Sequence, residues 1–169
     1  MKLHIGGQEI KEGWKILDIQ KTKGVDFVGD ISDLSQFEDS SIEEIYASHV
    51  FEHVHQKKIK ETLLGINRVL KKDAKLFISV PDLNILFHFF LNPLINKRAR
   101  WDTLRIIFGG QTDEHDYHYF GWNFELLNDS LKEAGFSKIE RVSNFNLFND
   151  TSNHKVYGFP ISLNIIAYK

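Results

Sequence analysis

The tightest constraint in this chain is a strand–helix–strand run between residues 42 and 80. Ile42–Ala47 (IEEIYA) is short and mostly apolar, as expected of a strand buried between layers. Over Lys57–Leu70, Ile59, Leu63, Ile66 and Leu70 recur at helical spacing, while lysines and Glu61 take the other face. Lys71–Lys75 reads as a polar turn, and Lys75–Val80 (KLFISV) as a strand stopped by Pro81-Asp82. A strand, a helix of this length and a second strand make a βαβ unit, whose strands pair in parallel. The fold class is therefore α/β.

The flanking segments fit such a sheet. Lys2–Ile5 predicts a strand ending in Gly6-Gly7, Lys15–Ile19 one that carries acidic Asp18, and Val25–Val28 one followed by Gly29-Asp30. Asn123–Ala134 predicts a second helix, with Phe124, Leu127, Leu131 and Ala134 on one face and Gly135 as its stop. Lys138–Phe145 and Ile161–Tyr168 follow as strands with no helix between them, so they can pair antiparallel at the end of a mostly parallel sheet. Leu83–Trp122 reads as helix with a long loop. Within it, Leu83–Ile95 is apolar but too short to span a bilayer, so the expectation is a buried or partner-covered helix and no membrane span. No repeat or linker breaks the chain, and 1–169 is read as one domain.

Composition removes several function classes. The absence of cysteine excludes a disulfide scaffold, a cysteine nucleophile and a thiolate metal site. A net charge of −2 announces no basic face for nucleic acid, and none is expected as a partner. The N-terminal stretch lacks the long apolar core of a signal peptide, so a cytoplasmic protein is expected. Many of the 14 phenylalanines fall between Phe87 and Phe148, which suits a pocket, an interface or a phenylalanine-filled core.

Three places carry candidate chemistry. At the first, Gly6 and Gly7 end one strand and Asp18 ends the next. Glycines let a backbone approach a ligand, and a carboxylate one strand over can accept from ribose hydroxyls. A hairpin turn with a surface aspartate would read the same way. The second is His49-Val50-Phe51-Glu52-His53. H-x-x-E-H is the inverted zinc-protease motif, but that use needs both histidines on one helix. His49 follows a strand, so no metal is assigned and His53 is expected to be structural. The third is Thr112–Tyr119 (TDEHDYHY), which follows Gly109-Gly110 and has the composition of a lid. His115, Asp116 and His118 offer acceptor contacts, a general base or metal ligands, and a plain polar loop would look no different.

Taken together, LHIGG, LDI, VDFVGDISDLSQFEDSSIEEIYASHVFEHV and RVLKKDAKLFISVPD resemble the class I S-adenosylmethionine-dependent methyltransferases. The later stretches IIFGGQ, AGF and DTSNHKVYGFPISLNIIAYK resemble a small branch of that superfamily. The resemblance implies a Rossmann-like sheet with a terminal antiparallel hairpin, and S-adenosylmethionine as cofactor. It assigns Gly6 and Gly7 to the cofactor loop, Asp18 to the ribose, Asp30 and Ile31 to the adenine, and Ser48 and His49 to the methyl end. The catalytic candidates are then His49, His118 and Asp82, and the implied partner is a small-molecule or glycan-like acceptor. A homodimer is compatible with it. Two departures stand out. Gln8 replaces the loop's second glycine, and about ten residues between the first two strands leave the usual first helix missing or shortened. A non-catalytic binding module is the alternative these departures support.

Overall fold

The computed structural model describes all residues, Met1–Lys169. In chain order the strands are β1 (Lys2–Ile5), β2 (Trp14–Asp18), β3 (Phe27–Val28), β4 (Ile42–Ser48), β5 (Leu70–Pro81), β6 (Lys138–Val142), β7 (Lys155–Val156), β8 (Phe159–Pro160) and β9 (Ser162–Tyr168). The helices are α1 (Ile59–Val69), α2 (Leu83–Leu91), α3 (Lys97–Phe108) and α4 (Phe124–Glu133). Seven strands form one sheet in the order β3-β2-β1-β4-β5-β9-β6, and β7-β8 make a separate small hairpin. The first five sheet strands pair in parallel, and β9 lies antiparallel to both β5 and β6. The mostly parallel Rossmann-like sheet with a terminal antiparallel pair is thus present.

The helical period of α1 and α4 explains one face. Leu63, Ile66 and Val69 of α1, with Leu127 and Leu131 of α4, pack on Leu3, Ile5, Ile45, Ala47, Leu76, Ile78, Leu163 and Ile165. The intervening strand residues point the other way, as strand alternation requires. His4, Tyr46 and Phe77 lie there with Trp14. No helix covers this second face beside β1, because residues 6–13 alone join β1 to β2 and form no helix.

The segment after β6 covers it instead. Phe145, Leu147 and Phe148 fold back onto Trp14, Tyr46 and Phe77. The phenol of Tyr46 donates to Asp150 Oδ2 at 2.8 Å, and Lys11 Nζ donates to the Leu147 carbonyl. This corrects the expected strand Lys138–Phe145. β6 stops at Val142 because Phe145 is used as cover rather than as ladder.

Two other expectations need correction. Lys71–Lys75 is the start of β5, not a turn. Pairing with β4 jumps from Ile42–Leu70 to Glu44–Lys75, so residues 71–74 bulge opposite Glu43, with Asp73 at φ 61°. Of the two alternatives for the apolar run Leu83–Ile95, burial within the chain is overturned, and cover by a partner is left as the expectation. Only Leu86 of α2 is buried, while Leu91 is 74% and Leu94 91% exposed. The helix leaves the sheet at Asp82 and packs on α3, so most of its apolar surface faces away from the core.

His4 sits within the aromatic patch, its ring centroid 4.1 Å from that of Phe148. Burial pushes its pKa from 6.5 down to about 4, against the opposing pull of Asp150 and Glu9. The folded chain holds His4 neutral while the unfolded chain protonates it below about pH 6.5. Its contribution is therefore complete above pH 6.5 and is lost as pH falls toward 4. Denaturant melts at pH 7 and pH 4.5 should differ by roughly 2 kcal/mol from this group. The His4→Phe variant should remove that part of the difference, and an unchanged slope would show that His4 is not its source.

Candidate functional site

The carboxyl ends of β3, β2, β1 and β4 open onto one cleft, the place where open α/β sheets bind ligands. It holds about 240 Å³ and is lined by Gly6, Asp18, Gly29, Asp30, Ile31, His49, Val50, His53, His115 and Tyr119, among others. Each lining residue follows from where its strand ends. Gly6 leaves β1 at φ 68°, with its N–H bonded to the Leu17 carbonyl at 2.8 Å. Asp18 is the last residue of β2, and its Oδ1 accepts from the Gln20 N–H at 2.7 Å. Asp30 follows β3 and accepts from the Ser32 N–H.

Of the cofactor-loop candidates, Gly6 and Gly7 have different roles. A Cβ on Gly6 would stand 2.5 Å from Val50 Cγ2, a contact inside the cleft wall. A Cβ on Gly7 would instead meet the His4 ring at 2.5 Å, so Gly7 packs on the aromatic patch and does not line the cleft. Gln8 is exposed and also lies outside the lining. Ser48 is half-buried below the rim, its Oγ shielded and unbonded.

His49 and His53 are not on one helix. His49 leaves β4 at φ 53°, and only Phe51–His53 form a short 3₁₀ turn. Left-handed backbone at a bulky residue is uncommon and clusters at functional sites. The His49 ring is held on both sides, with Nε2 2.8 Å from Ser162 Oγ and Nδ1 3.1 Å from Glu52 Oε1. Ser162 Oγ already donates to the Thr151 carbonyl, so Nε2 donates to Ser162.

Glu52 is buried at 1% exposure, and sequence reasoning missed its surroundings. Burial raises its pKa, but the imidazoles of His49, His118 and His53 outweigh this and hold the carboxyl below its ordinary value. His118 arrives from the loop between α3 and α4. Burial lowers its pKa, partly countered by Glu52. Its ring meets that of His53 edge-on at 4.7 Å between centroids. The loop is tied down there, because the N–H groups of Tyr119 and Phe120 both point at the Glu52 carbonyl. The signal for this contact in the sequence was only the composition of TDEHDYHY.

Asp82 lies elsewhere. It is buried, caps α2 by accepting from the Asn84 N–H, and pairs with Arg141 Nη2 at 2.7 Å. With Arg141, His88, Phe89 and Phe159 it lines a separate cavity of about 480 Å³.

Comparison with known proteins gives the context. A methyltransferase-domain family model matches residues 8–78. In sequence, no curated protein matches the chain. Among solved structures, an S-adenosylmethionine-dependent methyltransferase from Archaeoglobus fulgidus superposes with a TM-score of 0.61 at 17% identity, covering 99% of this chain and 85% of that one. One from Thermotoga maritima also gives a TM-score of 0.61, at 15% identity, covering 99% of this chain and 81% of that one. The Burkholderia thailandensis 1,6-didemethyltoxoflavin-N1-methyltransferase, bound to its substrate and S-adenosylhomocysteine, gives 0.57 at 15% identity over 92% of this chain and 60% of that one.

The Gly6–Val50 contact can be tested against a glycine with no neighbour. Gly13 also has positive φ, at 80°, but nothing lies within 4 Å of its would-be Cβ. Gly13→Ala should cost about 1 kcal/mol from the backbone alone, and Gly6→Ala about 2–3 kcal/mol. Adding Val50→Ala to Gly6→Ala should recover part of the excess in a double-mutant cycle. Equal costs at the two glycines would mean that Val50 does not press on Gly6.

Proposed function

We propose that this chain, a member of the class I S-adenosylmethionine-dependent methyltransferase superfamily, transfers a methyl group from S-adenosylmethionine to a small polar acceptor. The observation that carries the proposal is the cleft across four adjacent strand ends, with bare backbone at Gly6 and a carboxylate at Asp18. The residues fit the cofactor. Asp18 Oδ1 is used by Gln20, which leaves Oδ2 to accept from ribose hydroxyls. Asp30 and Ile31 line the cleft where the adenine would lie, and Gly6 and His49 border the methyl end, while Ser48 is outside the lining. The bound cofactor supplies an electrophilic methyl on a sulfonium. The chain's own part is to orient the acceptor toward it and to exclude water.

His49, His53, His115 and Tyr119 line the same cleft and supply hydrogen-bonding groups suited to a hydroxylated or glycan-like acceptor. Among the candidate bases, His49 lines the cleft itself, but its Nε2 proton goes to Ser162 and its Nδ1 faces Glu52, so it serves as a fixed wall of the cleft rather than as the base. His118 stands against His53, and Asp82 is committed to Arg141. The missing first helix supports a second reading, a methyltransferase-like module that binds without catalysis, because no helix N-terminus follows β1 beneath the cofactor.

Calorimetry with S-adenosylmethionine and S-adenosylhomocysteine separates the two. Binding of both supports the enzyme, and Asp18→Ala should then weaken it by about 1.5–3 kcal/mol, the range for hydrogen bonds to a charged group. The melting temperature of the variant should fall only slightly, because the one hydrogen bond lost, from the Gln20 N–H, is exposed. No binding at millimolar concentration favours the module, and equal affinity in variant and parent removes Asp18 from the site.

A further inference from the structure

We propose that Glu52, His53 and His118 form a binding site for a divalent transition-metal ion in the wall of the cleft. One ligand atom from each residue lies within 4.8 Å of the other two. Metal–ligand bonds of about 2.0–2.2 Å set donors at most about 4.4 Å apart, so small side-chain rotations close the set. Two imidazoles and one carboxylate suit ions such as zinc, cobalt, iron or manganese rather than calcium.

Two further observations point to a cation. First, neither carboxylate oxygen of Glu52 has a hydrogen-bond partner, although the side chain is 1% exposed. His49 Nδ1 stands 3.1 Å from Oε1, but with Nε2 donating to Ser162 the neutral ring carries no proton on Nδ1 to offer it. A buried carboxylate without donors is costly, and a bound cation removes that cost. Second, His53 Nδ1 lies 3.1 Å from the Tyr117 carbonyl. A carbonyl can only accept, so Nδ1 carries the proton and Nε2 presents its lone pair. A ring N–H bonded to a backbone carbonyl is the usual second contact of a metal-ligating histidine.

The loop geometry makes the set one unit. Tyr119 N–H donates to the Glu52 carbonyl at 2.9 Å, and that bond places His118, one residue earlier, beside the Glu52 side chain. The ligands therefore do not follow the spacing of the inverted protease motif. They take Glu52 and His53 from it and replace His49 with His118. This revises the expectation of no metal. Three protein ligands leave coordination positions open, and one of the three, His53, lines the cleft. Resting on the methyl-transfer reading, an acceptor hydroxyl oxygen is the natural further ligand, which the ion would polarise and orient.

The test uses tag-free protein, stripped with a chelator and titrated with cobalt(II). One equivalent should develop visible d–d absorption, zinc(II) should displace it, and either ion should raise the melting temperature. His53→Gln and His118→Asn should each weaken cobalt binding by more than about 100-fold, whereas losing an outer-shell partner costs about 10–100-fold. His115→Asn, in the cleft but outside the set, should leave it unchanged. Both histidine variants keep the buried Glu52, so the result does not depend on Glu52→Gln folding. No absorption and no thermal shift at millimolar metal would overturn the proposal, as would full binding in both variants. S-adenosylhomocysteine calorimetry on the same stripped protein reports separately on the methyl-transfer reading.

Discussion

A parallel strand pair joined by a short connection has an uncovered face, and the rest of this molecule is arranged around that fact. Parallel neighbours ordinarily need a crossover of about a dozen residues or more, most often a helix. Here residues 6–13 carry the chain from the end of β1 to the start of β2 without one. The sheet face beside them holds His4, Trp14, Tyr46 and Phe77, which water would otherwise reach. The chain after β6 covers them with Phe145, Leu147 and Phe148, anchored by Asp150 on the Tyr46 phenol. Interlocked aromatic edges and faces cover this area with few residues, each large and with few rotors.

The same economy shapes the cleft. Without a helix after β1, the wall near Gly6 is made by Val50, from the turn after β4, pressed against the glycine. That turn also carries His49 in left-handed backbone and puts Glu52 beneath it. His49, Val50 and His53 of the cleft wall are therefore parts of one five-residue segment, His49–His53. A displacement of Val50 would move both histidines.

Much of this was legible in the residues and some could not be. The βαβ unit was, because α1 repeats its apolar positions at helical spacing and β4 and β5 carry the mostly apolar stretches Ile42–Ala47 and Lys75–Val80. The parallel order and the strand-end positions of Gly6, Asp18 and His49 followed from it. The bulge at Lys71–Ala74 did not, because lysines and an aspartate read alike in a turn and in an exposed bulged strand. Nor did the use of Phe145 and Phe148, whose partners lie across the sheet on Trp14 and Tyr46, far away in the chain. Gly7 was read with Gly6 because the two are adjacent, yet their would-be Cβ atoms meet different residues, His4 and Val50. The apolar run at Leu83–Ile95 signalled burial by composition alone, but its helix is attached at one end of the sheet, where only Leu86 reaches the core.

The histidine motif shows where local reading stops. In sequence, H-x-x-E-H is a statement about one helix, and the left-handed His49 breaks that helix before it starts. His49 turns to Ser162, so the motif loses its first ligand. The carboxylate remains buried, and a buried carboxylate needs donors or a cation. More than sixty residues on, the loop bonded to the Glu52 carbonyl brings His118 to the Glu52 side chain. The loop and the β4 turn are thus joined at the point where the cleft needs both a fixed wall and a concentrated charge.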